Sequence, residues 1–274
     1  MPTTTASPND KVVMVTGASA GIGQATAECL AHSGWTVVGA SRRGTSGPGW
    51  TGLVMDVDDD QSVTDGVAEV CADHGRLDAL VACAGWGLAG PVEYTPLADA
   101  RAQLETNFFG AVRTVQAALA PLRQAPSGRI VLMSSIGGVL GIPFQAFYSA
   151  SKFALEGYGE ALAYEVAPLG IHVTLVEPGN VRTDFTAGRR TVSGPDDDNP
   201  YASSAQRAIS TMERDETDGV DPDHVARAVE RVLDARRPPR RCSVGKFDER
   251  IGLLGRRLLP YRLFESAAKG SLGV

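Results

Sequence analysis

The sequence lacks the features that mark several classes of protein. None of its 274 residues belong to an apolar run near the ~18 residues that a membrane-spanning helix needs. Its four cysteines form no Cys-x-x-Cys pair and its four histidines are dispersed, so we predict reduced thiols and no metal site. A net charge of −6 argues against a nucleic-acid partner. No secretory signal is recognisable, so we expect a cytoplasmic protein with no integral membrane segment.

What the sequence does contain is an alternation of short apolar segments with longer amphipathic ones. The apolar segments predict strands at 11–16, 36–40, 53–55, 77–82, 129–133 and 171–176, with a seventh at 242–244. Predicted helices lie at 22–33, before 74, and at 99–123, 146–167 and 221–235. Strands that are apolar on both faces and separated by helices pair in parallel. We therefore predict an α/β fold, a Rossmann-type doubly wound sheet of about seven strands with helices on both faces.

The chain reads as one domain at 11–274 after a disordered tail at 1–10, which is rich in Thr, Ser and Pro. The polar stretch at 184–219 is too long for an ordinary connection and predicts a substrate lid. The segment at 246–274 predicts a C-terminal cover. Its apolar and basic part could close the substrate site, pack on the core or a partner subunit, or touch a membrane surface.

A glycine-rich turn, TGASAGIG at 16–23, joins the first strand to the first helix. Gly17, Gly21 and Gly23 would let a phosphate approach the backbone, and the helix N-terminus would attract its charge. Ser19 and Ile22 belong to the same turn. A purely structural turn is the alternative.

The end of the second strand bears on which dinucleotide is bound. Here Ser41 and Arg42 stand where an NAD-binding fold usually carries an acid for the ribose 2′-hydroxyl. A guanidinium attracts a 2′-phosphate, so NADP(H) is favoured over NAD(H), unless the arginine is merely solvated. Asp56 could accept a hydrogen bond from adenine or could cap the next helix.

Tyr148 and Lys152 lie four residues apart in a predicted helix and therefore share a face. An ammonium beside a phenol favours the phenolate, so we expect Lys152 to lower the pKa of Tyr148 and make it an acid or base for carbonyl chemistry. The same pair also occurs by chance on solvated helices.

The Tyr148–Lys152 pair belongs to a larger set of motifs: TGASAGIG at 16–23, DV at 56–57, NFFG at 107–110, SS at 134–135, YSASK at 148–152 and PGNVRT at 178–183. With these motifs in this order, the sequence resembles the short-chain dehydrogenase/reductase family. It is similar to the branch of hydroxysteroid and retinol dehydrogenases. The resemblance implies a small carbonyl or alcohol substrate and a homodimer or homotetramer.

Roles follow from the resemblance position by position. Tyr148 would be the proton donor or acceptor, Lys152 would assist it and hold the nicotinamide ribose, and Ser135 would bind the substrate oxygen. Asn107 would kink its helix and hold a water behind the lysine. Thr183 would bind the carboxamide or a phosphate, or else cap a helix starting at Asp184. The implied cofactor-binding residues are Gly17, Ser19, Gly21, Ile22, Gly23, Ser41, Arg42, Asp56, Val57, Ala84, Gly85, Asn107, Tyr148, Lys152, Pro178, Gly179, Val181 and Thr183.

One position departs from the family pattern, since Cys83 stands where the family has an asparagine that ties strand ends together. We expect Cys83 to be a buried small residue rather than a reactive thiol. Trp86 either lines the substrate pocket or packs in the core.

The aromatic and aliphatic residues near the site predict an apolar pocket for a cyclic or long-chain carbonyl compound: Ile142, Pro143, Phe144, Phe147 and Phe185. The predicted activity is a ketoreductase or alcohol dehydrogenase. A regulatory protein that binds NADP(H) without turnover, or a dehydratase or epimerase on the same scaffold, are the alternatives.

Overall fold

The computed structural model of the protein describes residues 11–194, 199–249 and 251–252. The predicted tail at 1–10 and most of the predicted C-terminal cover lie outside these residues. Within them, no helix is both long and apolar enough to cross a bilayer.

Seven parallel strands form the central sheet, in the order β3-β2-β1-β4-β6-β7-β9. The strands are β1 (Val12–Thr16), β2 (Thr36–Ser41), β3 (Thr51–Val54), β4 (Ala79–Ala82), β6 (Gly128–Met133), β7 (Ile171–Pro178) and β9 (Arg241–Val244). Two short strands, β5 (Leu88–Ala89) and β8 (Arg190–Thr191), pair separately beside it. The predicted fold class and the seventh strand are therefore confirmed.

Helices cover both faces of the sheet. They are α1 (Gly21–His32), α2 (Asp60–His74), α3 (Leu97–Leu104), α4 (Gly110–Leu122), α5 (Ala146–Val166), α6 (Ala202–Thr217) and α7 (Pro222–Asp234). Helix α7 begins with a proline in its first turn, and the Asp221 carboxylate caps it by accepting from the Asp223 N–H.

The core consists of two layers, one on each side of the sheet, because successive residues of a strand point to opposite faces. Val12 and Met14 of β1 pack into the layer formed with α2, α4 and α5. Val13 and Val15 pack into the layer formed with α1 and α7. All four side chains are fully buried, which is why the strand sequence is apolar throughout.

Two helical regions differ from the prediction. The long helix expected at 99–123 is interrupted by a π-helical turn at Glu105–Phe109, which separates α3 from α4. The predicted lid at 184–219 contains α6, a helix whose N-terminal signals are masked in the sequence by the preceding glycines, prolines and aspartates. The sequence of α6 has an amphipathic pattern, but only when it is considered without the Gly-, Pro- and Asp-rich residues that precede it.

Parallel strands bring their carboxyl ends to one edge of the sheet. The direction in which successive strands are added reverses between β1 and β4, because β2 and β3 lie on one side and β6, β7 and β9 on the other. In open α/β sheets, ligands bind in the crevice above such a switch point. The loops after β1, β4, β6 and β7 all meet there.

Candidate active site

A cavity of about 720 Å³ lies above the switch point. With one exception, every residue predicted to act in catalysis or cofactor binding lines it: Gly17, Ser19, Gly21, Ile22, Gly23, Ser41, Arg42, Asp56, Val57, Ala84, Gly85, Ser135, Tyr148, Lys152, Pro178, Gly179, Val181 and Thr183. The exception is Asn107, which is buried behind the wall. Seven separate segments of the chain thus converge on one space.

The glycine-rich turn forms a close-fitting cradle. Gly17 has a φ of +71°, and a side chain there would lie 2.8 Å from the Cα atom of Ala84. A side chain on Gly23 would collide with the Gly17 carbonyl. No side chain caps the N-terminus of α1 and no acid stands in its first turn, so its amides are suited to an anionic group. These features fit the pyrophosphate of a nicotinamide dinucleotide.

Two arginines follow β2, and one of them, Arg42, lines the far end of the cavity. The Arg43 guanidinium donates a 2.9 Å hydrogen bond to the Ser19 carbonyl. Arg42 is exposed and makes no hydrogen bond within the described part of the chain, although it lies close enough to Asp58 to lower the pKa of that carboxyl, which burial raises. Of the two arginines, Arg42 is therefore the one that lines the cavity with its hydrogen-bond donors unused.

Asp56 does not cap the following helix, so that alternative is wrong. The N-cap of α2 is Asp59, whose carboxylate accepts a 2.6 Å hydrogen bond from the Ser62 N–H. Asp56 instead accepts from the Asp58 N–H at 3.1 Å while lining the cavity.

Tyr148 and Ser135 face each other at the other end of the cavity. Both side chains are 8% exposed. Both also lie within 3.4 Å of the position that a Cβ atom on Gly137 would occupy. Burial raises the pKa of the Tyr148 phenol to about 12, and the Ser135 hydroxyl opposes this rise only in part. The phenol is therefore protonated throughout the neutral pH range.

Lys152 lies beneath this pair. Its ammonium donates a 2.8 Å hydrogen bond to the Met133 carbonyl and stands 5.8 Å from the centre of the Tyr148 ring. Desolvation by burial lowers the pKa of Lys152 to about 8.

The net pKa shift at Tyr148 is upward, which is opposite to the shift expected from Lys152 alone. Both groups are buried, and desolvation disfavours the charged form of each one. It raises the pKa of the phenol and lowers that of the amine, so burial outweighs their mutual attraction. The consequence is a phenol ready to donate a proton and an amine that titrates close to neutral pH.

Asn107 lies in the π-helical turn, and its amide serves backbone groups. It accepts from the Trp86 N–H and donates to the Trp86 carbonyl, both at 3.0 Å, and also donates to the Ser151 hydroxyl at 3.2 Å. A side chain on Gly85 would come within 3.1 Å of the Asn107 oxygen and 3.8 Å of Lys152 Nζ. Asn107 is thus placed behind the lysine, as the resemblance implies, rather than in the cavity wall. Single-turn π-helices are frequent at functional sites.

The ends of β1 and β4 are linked by Thr16, and not by a side chain at position 83 as in the family pattern. The buried Thr16 hydroxyl accepts hydrogen bonds from the N–H groups of Cys83 and Ala84, at 3.0 and 3.1 Å. Burial raises the pKa of the Cys83 thiol to about 11, so almost none of it is thiolate near neutral pH. The expected unreactive role of Cys83 agrees with this environment.

The apolar side of the cavity is smaller than predicted. Ile142, Phe185 and Trp86 line it, and the Phe185 ring packs edge-on against the Tyr148 ring at 5.8 Å. Pro143 and Phe144, in the loop before α5, and Phe147, in the first turn of α5, do not line it.

The segment after β7 does not form the helix, starting at Asp184, that one alternative for Thr183 required. Residues 184–188 form turns, so Thr183 caps no helix there. Its hydroxyl accepts from the Phe185 N–H at 3.2 Å, and its Cβ lies 3.3 Å from where a side chain on Gly21 would be. Thr183 thus closes the cavity opposite the glycine-rich turn.

Three polar residues of the cavity wall carry no recognisable signal in the sequence: Thr106, Gln145 and Glu216. The Thr106 hydroxyl accepts from the Trp86 indole at 3.1 Å and donates to Asp58 at 2.8 Å. Glu216 comes from the unpredicted helix α6. No cluster of three or more side chains suited to a metal ion occurs within the described ranges.

Comparison with known proteins identifies the family. Residues 11–193 match the family described as short chain dehydrogenase, which is more than half of the chain. The chain belongs to the short-chain dehydrogenase family. It is therefore an oxidoreductase that acts on CH–OH and C=O groups with a nicotinamide dinucleotide, and the predicted resemblance is confirmed.

Individual members of this family resemble the chain over nearly its whole length. It is 38% identical to a 3-ketodihydrosphingosine reductase of Bacteroides thetaiotaomicron over 94% of this chain and 97% of that protein. It is 36% identical to the bovine (Bos taurus) retinol dehydrogenase 8, over 84% of this chain and 80% of that protein. A solved short-chain dehydrogenase from Streptomyces avermitilis superimposes with a TM-score of 0.81 at 34% identity, covering 96% and 99% of the two chains.

Proposed function

We propose that the protein is an NADP(H)-dependent ketoreductase that reduces the carbonyl group of an apolar, long-chain substrate. The observation that carries the proposal is the convergence of Ser135, Tyr148 and Lys152 at one end of a cavity whose other end is the glycine-rich turn. The bound nicotinamide would supply hydride to the carbonyl carbon.

The side chains would act on the carbonyl oxygen. Negative charge develops there as the carbon is reduced, and hydrogen bonds from Ser135 and Tyr148 stabilise it. Tyr148 then donates its proton, a role that its raised pKa of about 12 supports at neutral pH. Lys152 holds a proton that can replace the one lost, and Asn107 fixes the backbone behind it.

The proposed substrate class rests on the cavity and on the relatives. Ile142, Phe185 and Trp86 provide an apolar wall beside Tyr148, which suits an alkyl chain or ring. The relative with 38% identity over almost the full length is named for 3-ketodihydrosphingosine, a long-chain ketone. That compound is the first substrate to test.

The test is a panel of carbonyl compounds and alcohols, including 3-ketodihydrosphingosine, a steroid ketone and the aldehyde retinal, followed through nicotinamide absorbance with each cofactor. We expect NADPH to be consumed with the long-chain ketone. Binding of NADPH without consumption by any member would instead indicate the regulatory alternative. Substrate conversion without net consumption would indicate a dehydratase or epimerase.

The preference for NADP(H) depends on Arg42. Arg42→Asp places a negative charge where a 2′-phosphate would bind, so we expect the ratio of kcat/KM for NADPH to that for NADH to fall by ~10-fold or more. Arg43→Met is the matched control, because Arg43 already donates to the Ser19 carbonyl. A wild type that prefers NADH, or an equal loss of preference in both variants, contradicts the assignment.

The proposal includes a cytoplasmic location and a homodimer or homotetramer. Both stay predictions, as does the role of residues 184–219 as a lid.

A further inference from the structure

One acidic side chain reaches the substrate end of the cavity without a role in the proposed reaction. Glu216, on α6, lines the wall and is about one-seventh exposed (14%). Its carboxylate accepts a 2.5 Å hydrogen bond from the Thr186 hydroxyl and another from the Arg189 guanidinium. A carboxylate can accept about four hydrogen bonds, so acceptor positions remain on it.

Only one member of the Glu216–Arg189 pair, the glutamate, lines the cavity. The Arg189 side chain is 1% exposed and is not part of the cavity wall. Two of its nitrogen atoms, Nε and Nη1, have no hydrogen-bond partner among the described residues. The arginine therefore pairs with the carboxylate from behind, while the acidic member of the pair is the one that faces a ligand.

Glu216 lies near the reacting groups. Thr186, which it contacts, directly follows Phe185, whose ring packs against that of Tyr148. Its charge also adds to the burial that raises the pKa of Tyr148.

We propose that Glu216 is the residue that selects substrates carrying a protonated amine close to the reacting carbonyl. An ammonium group donates three hydrogen bonds and would fill the acceptor positions left free on the carboxylate. This inference rests on the proposed function and narrows its substrate class to long-chain amino ketones. The 2-amino group of 3-ketodihydrosphingosine stands on the carbon next to the carbonyl and fits this class.

Other acids of the cavity wall are less suited to this role. Asp56 and Asp58 lie at the far end, near Arg42. Asp184 lines the cavity but is exposed, and no hydrogen bond holds its carboxylate in place within the described residues. Charge-assisted recognition gains most where the acceptor is fixed and partly desolvated. Asp184→Asn is therefore the matched control.

The experiment compares two ketones that differ only in the amine: 3-ketodihydrosphingosine and the same hydroxyketone without its amino group. We expect wild type and Asp184→Asn to favour the amino ketone in kcat/KM by about 10- to 100-fold, the range for a hydrogen bond to a charged group. Glu216→Gln should bring the two ketones close to parity, mainly by lowering kcat/KM for the amino ketone.

Glu216→Gln leaves the buried Arg189 uncompensated and can therefore unfold the protein. The double variant Arg189→Met/Glu216→Gln removes the pair as a unit and should keep the fold, checked by circular dichroism and NADPH binding. A preference for the amine that survives in the double variant overturns the inference, and so does an equal loss on both ketones.

A binding measurement separates this inference from the proposed function. Calorimetry with dihydrosphingosine and with the matching diol without the amine needs no turnover. If wild type reduces neither ketone but binds the amine better, and the double variant does not, then the proposed function fails while Glu216 keeps its role. Equal binding of both compounds by wild type overturns the role of Glu216.

Discussion

Tyr148 and Lys152 share one helix face and one buried pocket, and burial moves their pKa values apart, upward for the phenol and downward for the amine. Sequence spacing predicted the contact between the residues but not the direction of the pKa shift at Tyr148. Spacing reports which groups are neighbours, whereas desolvation depends on every atom that excludes water from them.

At Tyr148 we predict that substitution by phenylalanine removes the proton donor and leaves the packing against Phe185 intact. Turnover of a ketone substrate should fall by ~10²-fold or more, the usual scale for loss of a general acid. NADPH binding and thermal stability measured on the same sample serve as controls. Near-normal turnover by a folded variant would remove Tyr148 from the mechanism.

At Lys152 we predict a pH-dependent cost to stability. Its folded pKa of about 8 is below its ordinary value, so the unfolded chain binds a proton more readily between pH 8 and about 10.5. The free energy of unfolding should therefore rise with pH over that window and be lowest below pH 8. The full difference is on the order of 3 kcal/mol at 1.36 kcal/mol per pKa unit.

Lys152→Met keeps the length of the side chain and removes the charge. Its lost hydrogen bond to Met133 is independent of pH, and the raised pKa of Tyr148 acts mainly above pH 10 in both proteins. Urea unfolding at several values from pH 7 to 10 should show that the advantage of the variant shrinks as pH rises. A constant difference would show that burial of the ammonium has no such cost.

At the scale of elements, the ends of β1 and β4 are held by the Thr16 hydroxyl where the family uses an asparagine. The sequence shows that Cys83 differs from the family pattern, but it does not show that the Thr16 hydroxyl links the strand ends there. Thr16 is 67 residues away in the chain, and only the parallel pairing of the two strands brings it beside Cys83.

We predict that Thr16→Val lowers the free energy of unfolding by about 1–3 kcal/mol, because two buried N–H groups lose their acceptor. Thr16→Ser keeps the hydroxyl and should cost less. Urea unfolding of the two variants side by side measures the difference. Equal stability of the two would show that water or a neighbouring group satisfies the strand ends.

The elements that the sequence misplaced have two different causes. The π-helical turn at Glu105–Phe109 is stabilised by hydrogen bonds between the Asn107 amide and the Trp86 backbone on another loop, so tertiary contacts outweigh local preference there. Helix α6 follows a polar, breaker-rich stretch that hides its start, and it packs few buried residues, Ala205 and Ala208.

At the scale of the whole molecule, the outer helices expose large apolar side chains. Phe109 and Phe153, on the π-helical turn and on α5, are 45% and 46% exposed. The predicted homodimer or homotetramer would cover side chains of this kind with a second copy of the chain.

We predict that Phe153→Glu shifts the protein toward monomer in sedimentation velocity, because it would place a charge in an apolar interface. Val54→Glu is the matched control, since Val54 is 70% exposed on the edge strand β3, away from those helices. A monomeric wild type, or equal dissociation of both variants, would contradict an interface on this face.

The sequence by itself determined the seven strands of the parallel sheet, most of the helices, and a set of site residues of which all but one line the cavity. These depend on hydrophobic periodicity and on short motifs, which are local properties of the chain. Only the tertiary structure decided the protonation of Tyr148 and Lys152, the part played by Thr16 and the presence of Glu216 beside the phenol. Those features arise from burial and from contacts between distant segments, and no local pattern in a chain specifies how much water its neighbours will exclude.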